Sequence, residues 1–160
     1  FVNTINEIGL EILTLVDELE SKMLKLNSAT VTDRRNSQHR NIKQIVGHLA
    51  DSASNNTHRV IHLQYQKSPC NYPDYANLGV NDKWIEIQNY NAEEWISLIQ
   101  LFKFSTIHYV HVINNVDLGC LNNEWISALN QRVTLKDMIV DYPRHLKLHI
   151  GEIDQIINDG

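Results

Sequence analysis

The chain has 160 residues, 42% hydrophobic and 21% charged, with a formal net charge of −5. A chain this long buries about 70% of its unfolded surface and needs no disulfide or metal to hold a core, and Cys70 and Cys120 are too few for a secreted disulfide scaffold. No apolar run of about 20 residues stands out as a membrane span, the acidic residues Glu7, Glu11, Asp17, Glu18 and Glu20 do not suit a signal peptide, and no Lys/Arg stripe marks a nucleic-acid surface.

These exclusions leave a soluble domain with a small-molecule partner, no membrane and no nucleic acid, and a cytoplasmic location is the default expectation. The chain opens at Phe1 rather than Met, so further residues are expected upstream.

Four segments carry a helical period. The first, from about Asn3 to Leu26, repeats Ile5, Ile8, Ile12, Leu15, Val16, Leu19, Met23 and Leu26 along one face. A polar loop is expected over 27–40. The second helix runs from about Asn41 to Gln66 and keeps Ile42, Ile45, Val46, Leu49, Ala53, Val60 and Leu63 together. The connection over 67–91 holds Pro69, Pro73, Gly79 and a short amphipathic piece around Trp84, and a connection that long is usually functional.

The third helix is expected from about Ala92 to Val116. A short hairpin around Asn122–Val133 precedes the fourth, which runs from Thr134 to about Asn158. Thr134 suits its N-cap, and Asp137 suits the positive end of its dipole. Four amphipathic helices with no domain-dividing linker read as one all-α domain over 1–160, a four-helix bundle. Its long connections permit a crossover topology.

The unusual count is eight histidines. Two H-x-x-x-H pairs occur, His58/His62 and His145/His149, and each would set two imidazoles one turn apart. At about 100° per residue the faces separate them. His58 and His62 fall opposite the core and read as a solvated pair. His145 and His149 fall on the shoulder that looks into the bundle, with Glu152 and Asp141 further out.

On the second helix His48, Ser52, Asn55 and Arg59 form one polar stripe beside the apolar face, with Asp51 on its outer edge. His48 can therefore meet His145 and His149. Three imidazoles leave coordination positions open, as catalytic metal sites do. The competing reading is three core histidines bonded to backbone carbonyls. Gly47, Ala50, Ser52 and Ala53 permit close approach around His48, and Pro143 inside the last helix predicts a kink just before His145.

These residues carry a resemblance. Ile45-Val46-Gly47-His48-Leu49-Ala50-Asp51-Ser52 with Asn55 and Arg59, then Asp141-Tyr142 and His145-x-x-x-His149-Ile150, resemble the DinB/YfiT-like superfamily of metal-binding four-helix proteins. The likeness runs from about Arg35 to Ile156. It includes Pro73, Tyr75 and Trp84 in the long connection and Thr134-Leu135 at the start of the last helix.

It implies an up-down-down-up bundle, a homodimer, and metal ligation by His48, His145 and His149. The most similar subgroup comprises metal-dependent hydrolases, some resembling bacillithiol S-transferases. Leu148 and Glu152 stand where many relatives carry further histidines, and Pro143-Arg144 replaces a common aromatic, so substrate class does not carry over.

The expected activity is transfer of a low-molecular-weight thiol, or hydrolysis of a small molecule. The expected cofactor is a divalent ion, zinc or nickel, held by three imidazoles, which acidifies a thiol or water bound beside them. Asp51 and Glu152 are the catalytic candidates. Arg59 (as a carboxylate clamp), Asn55 and Trp84 are the substrate-binding candidates. Two alternatives remain: a non-catalytic metal- or ligand-binding stress-response module, and a metal-free helical dimer.

Overall fold

The computed structural model describes residues 1–72, 75, 76 and 78–159. Helix boundaries follow local capping chemistry. α1 (Val2–Met23) presents Ile5, Ile8, Ile12, Val16, Leu19 and Met23 to the core. The expected polar loop after it contains a five-residue helix, α2 (Ser28–Thr32), capped by the Asn27 side chain, and its Val31 is buried. That short turn escapes a periodicity search because it offers only one apolar anchor.

α3 (Ile42–Tyr65) begins at a capping box. The Asn41 side chain accepts from the Gln44 amide, and the Gln44 side chain accepts from the Asn41 amide.

α4 (Asn81–Gln88) is the amphipathic piece expected around Trp84, with Ile85 turned inward. α5 (Trp95–Asn114) starts at Glu94, whose carboxylate accepts from the Ile96 and Ser97 amides. α6 (Leu135–Asn158) starts at Thr134, whose hydroxyl accepts from the Asp137 amide, and it carries Pro143. Between α5 and α6 lies the expected hairpin, β2 (Glu124–Ile126) against β3 (Arg132–Thr134). A third short strand, β1 (Cys70–Asn71), joins β2 in parallel.

α5 packs on α1 and α3, while α6 packs on the same two helices from the other side. Consecutive long helices α1 and α3, and likewise α5 and α6, therefore lie across diagonals of the bundle. Only the long connections noted in the sequence permit this crossover order. The fold is all-α with a small sheet at one end.

By length and composition α5 could cross a membrane, with a mean hydropathy of 1.2, a feature the search for apolar runs passes over. Seven of its residues, among them Leu98, Phe102 and Tyr109, are buried in the bundle.

Candidate metal centre

α3 carries His48 at the level where α6 carries His145 and His149. The ring centroids of His48 and His149 are 4.8 Å apart, those of His145 and His149 4.6 Å, and those of His48 and His145 5.9 Å. One nitrogen from each ring lies within 4.8 Å of the others, and no second group of this kind occurs among the described residues.

The Nε2 atoms of His145 and His149 are 3.2 Å apart. Two nitrogens bound to one ion at about 2.0–2.1 Å stand about 3.0–3.4 Å apart, depending on the angle. The pair is therefore spaced as ligands would be. The Nδ1 atom of His48 is buried with no hydrogen-bond partner among the described residues. An unpaired nitrogen of a neutral imidazole keeps a lone pair that an ion can take. The donor set fits a divalent ion.

Burial holds two of the rings in the form that ligation needs. It lowers the pKa of His48 to about 3 and that of His145 to about 4, with the neighbouring imidazoles adding to each shift. Both rings are neutral at pH 7, as metal ligation requires. His149 Nδ1 is 2.9 Å from Glu152 Oε2. A carboxylate there fixes the tautomer and aims Nε2 inward. Glu152 thus bonds to His149, whereas the sequence suggested a base.

The other expected site residues divide. Asp51 is buried, not at an outer edge. Its carboxylate accepts from the Tyr90 hydroxyl at 2.6 Å and from Gln88 Nε2 at 3.0 and 3.1 Å, so it faces the α4 side and not a ligand imidazole. The reason is tertiary: α4 and the turn after it cover that face of α3. Burial raises the Asp51 pKa against the lowering effect of these donors.

Gly47 makes the covering possible. A Cβ there would meet the Tyr90 ring at 2.2 Å. Trp84 does not line the metal pocket. It packs on Tyr75, with centroids 5.1 Å apart, and the Tyr75 ring meets the edge of His48 at 5.9 Å. Pro73 lies outside the described residues.

A cleft of about 790 Å³ opens beside the triad, within the range of small-molecule sites. His48, Ser52, Asn55 and Arg59 all line it, so the polar stripe read from helical periodicity is one wall. Asn55 Nδ2 donates to the Asp51 carbonyl at 2.9 Å. Arg59 is 8% exposed, and its guanidinium carbon lies 4.3 Å from the Trp125 ring centroid and 5.9 Å from that of Tyr72.

Trp125 was not among the expected site residues. Its only sequence signal is its place in the expected hairpin. His58 is exposed, and the His62 ring meets the Tyr65 hydroxyl at 2.8 Å. Neither belongs to the centre.

No protein-family model matches the chain, and no curated protein matches it. Among solved structures, YfiT from Bacillus subtilis superposes with a TM-score of 0.82. The match covers 95% of this chain and 85% of that one, at 14% sequence identity. The chain has the YfiT fold. YfiT is described as "a probable metal-dependent hydrolase with an unusual four-helix bundle topology". The resemblance seen in the sequence is thereby upheld at the level of fold.

Proposed function

We propose that this chain is a metal-dependent enzyme that uses its His48–His145–His149 centre for hydrolysis of a small molecule or for transfer of a low-molecular-weight thiol. The observation that carries the proposal is the convergence of three imidazoles, two of which, His48 and His145, line an open cleft. YfiT, described as "a probable metal-dependent hydrolase" and of the same fold, supports the same class of activity.

His48, His145 and His149 would hold a divalent ion, zinc or nickel by the preference of nitrogen donors. Once bound, the ion would acidify a thiol or water placed against it. Glu152 keeps His149 in the ligating tautomer. Arg59 and Asn55 bind and orient the substrate along the α3 wall, and the ring of Tyr75 shields His48. Trp84 acts through Tyr75, and Asp51 anchors Tyr90 and Gln88 against α3. A cytoplasmic setting belongs to this reading, because a thiol substrate stays reduced there and Cys70 and Cys120 are free.

Pairing with a second copy also belongs to it. α5 exposes Ser97, Leu101, Phe104, His108 and His111 at alternating spacings of three and four, with no charge among them. Like faces of this kind meet without desolvating an ion.

The test is turnover by zinc- or nickel-loaded protein against a panel of esters, amides and thiol–electrophile pairs. A rate that requires the metal and disappears in His149→Ala supports the enzyme. Full metal occupancy with no metal-dependent rate across the panel would instead favour the non-catalytic binding module.

A further inference from the structure

The last helix carries an apolar path that ends on the metal centre. Met138, Tyr142, His145 and His149 follow one another at spacings of four, three and four, so they share one face of α6. Met138 and Tyr142 are buried, and the Tyr142 ring centroid stands 6.4 Å from that of His145.

The small sheet supplies a second apolar wall. Trp125 on β2 and Val133 on β3 are direct partners across the antiparallel pair, so their side chains stand on the same face of the hairpin. Trp125, Val133, Met138, Tyr142 and His145 all line the cleft of about 790 Å³. The Trp125 indole nitrogen is buried with no hydrogen-bond partner among the described residues, a donor that the folded chain leaves unanswered.

The charged groups around these walls are held by their neighbours. Arg144 pairs with Asp141 at 2.5 and 2.8 Å, and Asp137 accepts from the Thr134 hydroxyl at 2.7 Å at the start of α6. The Arg59 guanidinium lies over the Trp125 ring at 4.3 Å. Recognition along this stretch therefore falls to shape and apolar area.

We infer that Trp125, Val133, Met138 and Tyr142 form a subsite for an uncharged aryl or alkyl arm, carried by a substrate whose polar head engages the His48–His145–His149 centre. Continuity decides the occupant. The path steps turn by turn from Met138 through Tyr142 to His145, so a molecule held at the histidines lays its remainder against Tyr142 and then the hairpin face. A charged arm would lose its water there without gaining a partner. This deepens the metal-centre reading and rests on it for the head of the molecule.

The experiment uses nickel-loaded protein of measured metal content, with hydroxamates as probes because their head binds divalent ions. Calorimetric titration compares acetohydroxamate, which has no arm, with hexanohydroxamate, phenylbutyrohydroxamate and the monohydroxamate of adipic acid, whose arm ends in a carboxylate. Either apolar arm should tighten binding at least about tenfold over acetohydroxamate, because its methylenes or ring leave water. The adipic arm should give no such gain. Met138→Gln and Val133→Thr should each cut the gain severalfold, with nickel content, helix content and acetohydroxamate affinity kept. Met138→Leu should retain most of it.

Phenylbutanol lacks the metal-binding head and separates the two readings. It should bind metal-free protein, and Met138→Gln should weaken that binding. Full nickel content with equal affinity for all the hydroxamates overturns the subsite and spares the metal centre, and so does an adipic arm that binds as tightly as the apolar ones. Absent nickel binding with Met138-dependent phenylbutanol binding overturns the metal centre and spares the subsite. Loss of both overturns the two together.

Discussion

Glu152 Oε2 lies 2.9 Å from Nδ1 of His149, while Nε2 of the same ring is 3.2 Å from His145. The two edges of one imidazole are thus divided between a carboxylate that orients it and a partner that would share its metal. Glu152→Gln keeps the shape but weakens the charge-assisted bond that fixes the tautomer. Metal affinity should fall about 10- to 100-fold, with little change in the fold. Competition with a chromophoric chelator, alongside circular dichroism, measures both.

Removal of any one imidazole leaves two ligands. His48→Ala, His145→Ala and His149→Ala should each purify with little metal after saturation with zinc and desalting. His58→Ala should match the wild type, because His58 is exposed on the outer face of α3. Elemental analysis of the four proteins decides this. Equal loss in His58→Ala would refute the division of the histidines by face.

Gly47→Ala should be costly. The new methyl group would stand 2.2 Å from the Tyr90 ring, so the ring and the turn that carries it must move. Overpacking of this kind costs about 1–3 kcal/mol. Because Tyr90 also holds Asp51, three residues beyond His48, metal affinity should drop with stability. Gly151 offers the contrast: it faces open space within α6, and Gly151→Ala should raise stability by about 0.5–1 kcal/mol with metal content unchanged. Thermal melts of both variants check the pair.

Asp51 predicts a pH dependence. Burial raises its pKa in the folded state above the ordinary 3.8, so folding favours its protonated form. Its contribution is fully present below the ordinary value and is lost as pH rises through the raised one. Asp51→Asn, which cannot ionise, escapes that loss. The melting temperature of the variant minus that of the wild type should therefore become more positive between pH 3.5 and pH 6.5. A flat difference would show that Asp51 is ionised without penalty in the fold.

The uncharged face of α5 predicts the assembly. Phe104 is 60% exposed at the middle of that stripe. If two copies meet there, Phe104→Glu places like charges together and should give a monomer by light scattering, with helix content and metal binding retained.

Much of the centre was legible because helical periodicity is a local rule. The spacing of apolar residues in Ile42–Tyr65 and Leu135–Asn158 sets which way each helix faces. It therefore puts His48, Ser52, Asn55 and Arg59 in one stripe and turns His145 and His149 inward. Capping was equally local: Thr134 does at the start of α6 what its hydroxyl and the following Asp137 suggest.

The remaining residues depend on elements remote in the chain. Asp51 looks marginal on a helical wheel, yet Gln88 and Tyr90, some forty positions later, bury it and take its oxygens. Trp84 lies one layer behind the pocket because Tyr75 comes between it and His48. Arg59 meets Trp125 only because a parallel strand pairing ties Cys70 to the hairpin.

The sequence by itself determined the four helices, their inward faces and the three histidines that can share an ion, since each follows from 3.6-residue periodicity within one segment. Only the tertiary structure decided what surrounds them: Asp51 turned toward Tyr90, and Arg59 seated on Trp125. Those contacts join side chains whose distance is set by packing across the crossover bundle, and no spacing along a single helix encodes it.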